Sequence, residues 1–323
     1  MRPVLELRDL SKHFTDHKAL DGISLEIPRS AFYSLLGPSG CGKTTTLRLI
    51  AGFEQPTTGE VRLNGQVINP LRPYERNVST VFQNYALFPH LTVRGNIEFG
   101  LKRRGLADAD RRVREAVAMV QLAGKEKRFP SEISGGERQR VALARSLVLE
   151  PEVLLLDEPL AALDPALRKQ MRSELKELQR RIGVTFLFVT HDQEEALTLS
   201  DRIAVMRQGR IEQIGTPEEV YLRPRNRFVA GFLGAVNWID GVGIRPEATR
   251  ISRAAPPEGS RAMPATIVGS VFLGNCLQVE VRLRSGASVV AEVPRPDGSF
   301  DRGEIVHVWW RAGDEMSFPH EPA

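Results

Sequence analysis

The chain has 323 residues, of which 41% are hydrophobic and 26% charged, with 44 Lys and Arg against 40 Asp and Glu. This length predicts about two domains, and the composition excludes an intrinsically disordered protein or a small disulfide-bonded domain. The net charge of +4 is mild, so it permits a nucleic-acid partner without arguing for one.

The sequence contains no apolar run approaching the ~20 residues needed to span a bilayer. Residues 1–10 also lack the apolar core of a signal peptide. The two cysteines, Cys41 and Cys276, suit a reducing compartment and do not have the spacing of a metal site. We therefore expect a protein that is cytosolic or docked on a membrane without entering it.

Residues 1–235 alternate short apolar runs with longer helical patterns. The runs do not alternate with polar residues, as expected of strands buried on both faces, and they lie at 31–36, 78–82, 153–156, 185–189 and 203–206. Helical patterns occupy 108–123 and 166–181. This order predicts a layered α/β domain with a mostly parallel sheet.

Residues 236–323 have a different pattern, with glycine and proline separating short strand-like runs. These runs lie at 265–272, 277–283, 288–293 and 305–310, and a loop rich in Pro, Gly and Ser occupies 254–260. The pattern predicts a second, all-β domain, either a barrel or a sandwich.

A phosphate-binding loop follows the first predicted strand. The motif G-x-x-x-x-G-K-[ST] is formed by Gly37, Pro38, Ser39, Gly40, Cys41, Gly42, Lys43 and Thr44, with Thr45 next in the helix. Glycines let backbone N–H groups converge on a phosphate, Lys43 reaches the β- and γ-phosphates, and Thr44 is a ligand for Mg²⁺. A simple glycine-rich turn is the alternative, but the flanking strand and helix favour ATP binding.

Two carboxylates follow the strand at 153–156. Asp157 is predicted to hold Mg²⁺, and Glu158 to accept a proton from an attacking water. Both lie at the carboxyl end of a predicted parallel strand, where such sheets bind ligands. An acidic helix cap is the alternative, and the phosphate loop argues against it.

Residues 133–140, which include Ser134, Gly135 and Gly136, resemble the signature sequence of ATP-binding-cassette (ABC) ATPases. A serine and two glycines at a helix start also form an anion-binding terminus. The resemblance implies a P-loop NTPase fold with a helical subdomain at about 84–150. It also implies a dimer, a homodimer in the first instance, in which the signature of one subunit closes on ATP held by the other.

The same resemblance assigns four further residues. Gln83 matches the glutamine that senses Mg²⁺ and water, Asp164 the interface loop, His191 the switch histidine at the γ-phosphate, and Phe14 the aromatic residue that stacks on adenine. Each has an ordinary alternative: a surface glutamine, a helix-turn aspartate, a solvated histidine and a core phenylalanine.

Four positions, in three segments of the chain, depart from the family pattern. Ile133 and Glu137 replace the usual Leu and Gln of the signature, Ala161 replaces a serine in the interface loop, and Ser30 replaces a turn glycine. Glu137 places a negative charge near the triphosphate, and the neighbouring Arg138 is predicted to offset it. The missing serine removes one hydrogen bond across the dimer.

The resemblance covers nearly the whole chain and extends to importer ATPases with a C-terminal OB-like (TOBE) domain. Those for polyamines are the most similar, through residues 168–206 above all. It implies two integral membrane permease subunits, an extracytoplasmic solute-binding protein, no nucleic-acid partner, and a peripheral position on the cytoplasmic face of the inner membrane. The subdomain segment around Tyr85, Leu87, Phe88 and Pro89 is then a groove for a permease helix, or else ordinary core.

Other readings remain open. The cargo of the importer is alternatively ferric ion, sulfate or a sugar. A soluble ABC ATPase acting on DNA or ribosomes requires a coiled-coil insertion or two fused cassettes, neither of which occurs. A regulator with incidental hydrolysis is disfavoured by the complete catalytic set.

Overall fold

The computed structural model describes residues 3–294 and 299–318, and contacts divide the chain into two units, Met1–Pro217 and Glu218–Ala323. The strands of the first unit are β1 (Leu5–His13), β2 (Lys18–Ile27), β3 (Phe32–Leu36), β4 (Thr58–Leu63), β5 (Gln66–Val67), β6 (Val78–Val81), β7 (Val153–Asp157), β8 (Thr185–Thr190), β9 (Arg202–Arg207) and β10 (Arg210–Gly215). Its helices are α1 (Lys43–Ala51), α2 (Val93–Arg104), α3 (Ala109–Met119), α4 (Gly135–Leu147), α5 (Pro165–Ile182) and α6 (Gln193–Leu199).

A six-stranded central sheet has the order β10-β9-β3-β8-β7-β6. All neighbouring pairs are parallel except β10 with β9. The five predicted apolar runs are the five parallel strands, so the mostly parallel sheet is confirmed. Strands β3 and β8 are buried along their whole length, because both faces of the sheet are covered.

Successive residues of the central strands enter different cores. Leu155 and Leu187 join the core that includes α1 and the four-stranded antiparallel sheet β2-β1-β4-β5. Leu154 and Phe186 join the core that includes Leu175 of α5. The antiparallel sheet was not among the predicted elements.

The segment between β6 and β7 is helical. The helices α2, α3 and α4 pack around a small apolar core to which Val93, Ile97, Val113, Val117 and Val141 contribute. No helix among residues 3–294 and 299–318 combines the length and the apolar character needed to cross a membrane.

The second unit opens with two short helices, α7 (Pro217–Leu222) and α8 (Arg227–Phe232). Its strands are β11 (Asn237–Ile239), β12 (Val242–Ile244), β13 (Arg250–Ser252), β14 (Ser260–Phe272), β15 (Leu277–Leu283), β16 (Ser288–Val293), β17 (Ile305–Arg311) and β18 (Met316–Ser317). They form two antiparallel sheets, β11-β12-β18 and β13-β17-β14-β15-β16, and the four predicted strand runs are confirmed.

The contact boundary at Pro217 precedes the boundary predicted from composition at residue 235. Within the second unit, the buried Arg245 donates to the carbonyl oxygens of Ala230 at 2.9 Å and Tyr221 at 3.2 Å. These bonds tie α7 and α8 to the strands that follow. The domain limits drawn from composition stay a prediction.

Candidate functional site

Four parallel strands of the central sheet end at one edge. Leu36 of β3 pairs with Thr190 of β8, and Val81 of β6 pairs with Leu156 of β7. Because β7 and β8 are also paired, the loops after all four strands converge there. This is the edge at which open α/β sheets bind ligands.

The predicted phosphate loop follows β3 and approaches its neighbours too closely for side chains at two positions. A Cβ on Gly37 would lie 2.4 Å from the carbonyl oxygen of Met206, and one on Gly42 would lie 2.6 Å from that of Ala19. Gly42 also has a φ of 104° where it caps α1. Glycine is therefore required at both ends of the loop.

Lys43 is buried and lies against the phosphate loop. Its Nζ donates to the carbonyl oxygens of Gly37 at 2.7 Å and Pro38 at 3.0 Å. The ammonium thus places a positive charge beside the loop and the N-terminal end of α1. Of the other predicted loop residues, Ser39, Gly40 and Thr44 are exposed, Thr45 is half-buried, and burial raises the pKa of the Cys41 thiol.

Two of the three residues predicted for the magnesium site, Thr44 and Asp157, are in contact. The hydroxyl of Thr44 donates to Oδ1 of Asp157 at 3.2 Å. Burial raises the pKa of Asp157, and the nearby charge of Glu158 also raises it, whereas the Thr44 hydroxyl lowers it. The site thus joins a hydroxyl to a carboxylate whose negative charge is poorly solvated.

Glu158 and His191 form a second pair at the same edge. Oε1 of Glu158 lies 3.1 Å from Nδ1 of His191, and the Glu158 side chain is 22% exposed against 56% for His191. Glu158 has a φ of 45°, in the left-handed region that favours glycine. Its N–H donates to the carbonyl oxygen of Val189 at 3.0 Å, which helps to hold this conformation.

Gln83 follows β6 at the same edge and is exposed. It lies in a turn closed by a bond of 2.9 Å from the Tyr85 N–H to the Phe82 carbonyl oxygen. Within residues 3–294 and 299–318, no hydrogen bond joins its amide to Thr44 or Asp157. The register of β6 and β7 alone brings it to this edge.

Phe14 lies in the connection between β1 and β2 and is 39% exposed. Its ring stacks on His17, with 5.4 Å between ring centroids, and Nζ of Lys12 lies 4.9 Å from its centroid. The alternative of a core phenylalanine is therefore wrong, because more than a third of the side chain is accessible to solvent.

Residues 134–136, called the signature turn below, begin α4. The Ser134 hydroxyl accepts a bond from the Glu137 N–H at 3.3 Å, and the Glu137 carboxylate accepts one from the Ser134 N–H at 2.9 Å. The Glu137 charge is paired with Lys125, which lowers the pKa of Glu137. Arg138 donates to the carbonyl oxygen of Pro130 at 2.9 Å, so its offset of the Glu137 charge stays a prediction.

The signature turn packs beside the predicted interface loop. A Cβ on Gly135 would meet Leu163 at 3.5 Å, and one on Gly136 would meet Leu167 at 3.3 Å. Asp164 caps α5 by accepting a bond of 3.0 Å from the Leu167 N–H. In the described part of this single chain, no hydrogen bond joins the signature turn to the phosphate loop.

Comparison with known proteins identifies the family. Residues 20–161 match the family described as ABC transporter, and residues 242–318 match the TOBE domain. The spermidine/putrescine import ATP-binding protein PotA of Rubrobacter xylanophilus is 48% identical over 349 residues, covering 96% of this chain and 93% of that protein. The chain belongs to the ABC transporter family of ATP-binding proteins.

Other relatives agree with this assignment to the ABC family. The PotA protein of Acidothermus cellulolyticus is 46% identical over 367 residues, covering 99% of this chain and 95% of its own. The solved structure of cbiO1 from Clostridium perfringens, part of the cbiONQ ABC transporter complex, has a TM-score of 0.63 at 30% identity and covers 68% of this chain and 91% of its own. A dimeric post-hydrolysis structure of the ATP-binding cassette MJ0796, bound to ADP and Pi, has a TM-score of 0.58 at 31% identity, covering 66% and 98%.

The fold class predicted for this ABC ATPase is confirmed, since a P-loop NTPase is followed by a TOBE domain. The structure joins Thr44 to Asp157 and brings Glu158 beside His191, and in its described part no hydrogen bond links the signature turn to the phosphate loop. Sequence reasoning missed Lys125, the partner of Glu137. It also missed Arg145, which bonds the turn after Gln83. Neither lies in a recognisable motif.

Proposed function

We propose that this chain is the ATP-hydrolysing subunit of an importer that takes up polyamines, spermidine or putrescine, across the cytoplasmic membrane. The observation that carries the proposal is the pair of contacts at the sheet edge, Thr44 with Asp157 and Glu158 with His191. The cargo is supported by the relatives, which are named spermidine/putrescine import ATP-binding proteins.

ATP binds at the phosphate loop in this proposal. Lys43 exchanges its two loop carbonyls for the β- and γ-phosphate oxygens, which gives charge-assisted hydrogen bonds. The N-terminal end of α1 and the loop N–H groups add further positive potential. The exposed ring of Phe14 stacks on the adenine.

Thr44 and Asp157 fit Mg²⁺ as ligands. A hydroxyl and a carboxylate are hard oxygen donors, and Mg²⁺ is usually held by one or two protein groups together with substrate phosphates and water. The raised pKa of Asp157 indicates a carboxylate that a neighbouring cation would stabilise. When bound, Mg²⁺ neutralises charge on the β- and γ-phosphate oxygens. Gln83 adds a further oxygen donor at the same edge.

Hydrolysis is assigned to Glu158 and His191. Water attacks the γ-phosphorus in line with the leaving ADP oxygen, and the Glu158 carboxylate takes the proton that the water loses. The contact of 3.1 Å with His191 orients this carboxylate. The products are ADP and inorganic phosphate.

Two copies of the chain form two shared nucleotide sites in this proposal. The signature turn begins α4 with a helix dipole suited to phosphate, yet it makes no hydrogen bond to its own phosphate loop among the described residues. Its natural target is ATP on a second subunit, with Asp164 at the same interface. Because Lys125 pairs with Glu137, the additional carboxylate does not oppose closure.

The permease contact is proposed for the helical segment after Gln83. Leu87 and Phe88 are half-buried, and the Phe88 ring lies 4.5 Å from that of Phe99, which is 44% exposed. This aromatic pair suits an apolar residue of a permease helix. Tyr85 is buried and belongs to the core, as the alternative reading held. The position on the cytoplasmic face, the two permease subunits and the solute-binding protein belong to the same proposal.

The test is purification of the tagged, full-length chain from solubilised membranes of its source cells, followed by reconstitution of what co-purifies. We expect a pair of integral membrane subunits, and ATP-driven uptake of labelled spermidine or putrescine that a Glu158→Gln complex does not support. Uptake of sulfate, a sugar or ferric ion instead would reject the cargo. Co-purification with DNA or ribosomes, and with no membrane pair, would reject the importer.

A further inference from the structure

The turn that carries Gln83 has a backbone that its own residues do not favour. Tyr85 has a φ of 60° and Ala86 a φ of 45°, so two successive residues with side chains occupy the left-handed region. Such a conformation persists only where surrounding groups hold it. The Tyr85 hydroxyl is buried without a hydrogen-bond partner in the described structure, so the ring contributes packing alone.

One side chain holds both carbonyl groups of this turn. The Arg145 guanidinium donates to the carbonyl oxygen of Ala86 at 2.6 Å and to that of Tyr85 at 2.7 Å. It also lies 5.7 Å from the ring centroid of Phe88. The planar fork of arginine suits two adjacent acceptors, which a lysine ammonium does not match.

Arg145 belongs to α4, the helix that begins at the signature turn. The bond from the Tyr85 N–H to the Phe82 carbonyl oxygen closes the turn around Gln83. Tyr85, whose carbonyl oxygen accepts a hydrogen bond from Arg145, therefore also fixes the position of Gln83. At the other end, the Asn96 side chain accepts a bond from the Phe88 N–H at 2.8 Å. The segment is therefore clamped between α4 and α2.

We propose that Arg145 is a positioning residue that sets the place of Gln83 and links it to the signature helix α4. The proposal rests on the proposed function, in which Gln83 serves the nucleotide and the signature turn engages ATP on the partner subunit. A displacement of α4 on closure then moves the Gln83 turn, because the two are joined by a pair of charge-assisted hydrogen bonds.

The test is a double-mutant cycle on the full-length chain, with Arg145→Lys and Gln83→Ala made singly and together. We expect Arg145→Lys to lower kcat about tenfold while the affinity for a fluorescent ATP analogue changes less than about twofold. In the Gln83→Ala background the same substitution should change kcat less than about twofold, since the residue through which it acts is gone. Arg145→Gln, which keeps one amide donor, should act in the same direction.

Arg140→Lys is the matched control, because Arg140 lies on the same helix and pairs with Glu174 at 2.6 Å, away from the turn. Whatever its size, the effect of Arg140→Lys on kcat should be the same with Gln83 present and in the Gln83→Ala background. Equal losses from Arg145→Lys in both backgrounds, or no loss in the otherwise unchanged chain, would overturn the link. The proposed function fails separately, if Glu158→Gln still hydrolyses ATP at the normal rate.

Discussion

Replacement of Glu158 by glutamine tests the assignment of the general base. The side chain keeps its size and keeps an oxygen atom in the position of Oε1 of Glu158, which lies 3.1 Å from Nδ1 of His191. The variant therefore loses proton affinity and little else. Removal of a general base costs 10²–10⁴-fold in rate, or about 2.7–5.4 kcal/mol in activation free energy.

The assay follows phosphate release and nucleotide binding side by side. We expect Glu158→Gln to bind a fluorescent ATP analogue normally, to hydrolyse ATP at least about a hundredfold more slowly, and to elute as a stable dimer with ATP. Glu194→Gln is the matched control, because Glu194 is an exposed carboxylate that pairs with Arg172 at 2.9 Å. Turnover near that of the unchanged chain would refute the role of Glu158, and so would loss of binding together with turnover.

Three further substitutions probe binding and stability. Lys43→Ala should weaken ATP binding itself, measured by equilibrium titration, because it removes the buried ammonium that we propose binds the phosphates. Arg76→Met should lower the free energy of unfolding, measured in urea, by about 3–5 kcal/mol, because the buried guanidinium donates to four backbone carbonyls, two of them in the last turn of α1. The control is Arg72→Met at an exposed position, which should change this free energy by less than about 0.5 kcal/mol. Glu137→Gln should lower the free energy of unfolding by less than about 1 kcal/mol at pH 7. Because Lys125 lowers the pKa of Glu137, the difference in unfolding free energy between the two chains should be present above the ordinary glutamate pKa of about 4.3. It should disappear as the pH falls below that value, which unfolding at a series of pH values would show.

The fold of each unit was largely predictable from local patterns. The five parallel strands are unalternating apolar runs because both faces of the sheet are covered, and this leaves a clear trace in the sequence. The antiparallel sheet β2-β1-β4-β5 was not predicted. In β1 the exposed residues Arg8 and Asp9 are followed by the buried residues 10 and 11, which interrupts the alternation of buried and exposed positions. The alternation that marks a half-buried strand is therefore broken in β1.

The nucleotide site was predictable where its residues lie in one stretch of chain. The phosphate loop and the two carboxylates at the end of β7 depend on the residue types and on the strand ends beside them, and the structure has them at the predicted edge. The exposure of Phe14 was not predictable, since the same ring packs in the core of many proteins.

The sequence by itself determined the phosphate loop, the strand that precedes it and the signature turn, because each depends on residues a few positions apart. Only the tertiary structure decided which distant groups meet. Thr44 and Asp157 are 113 residues apart, Arg145 reaches Tyr85 across 60, and Glu137 is paired with Lys125 rather than with its neighbour Arg138. Such pairs arise from the order of strands and the packing of helices, and a single sequence carries no local signal for either.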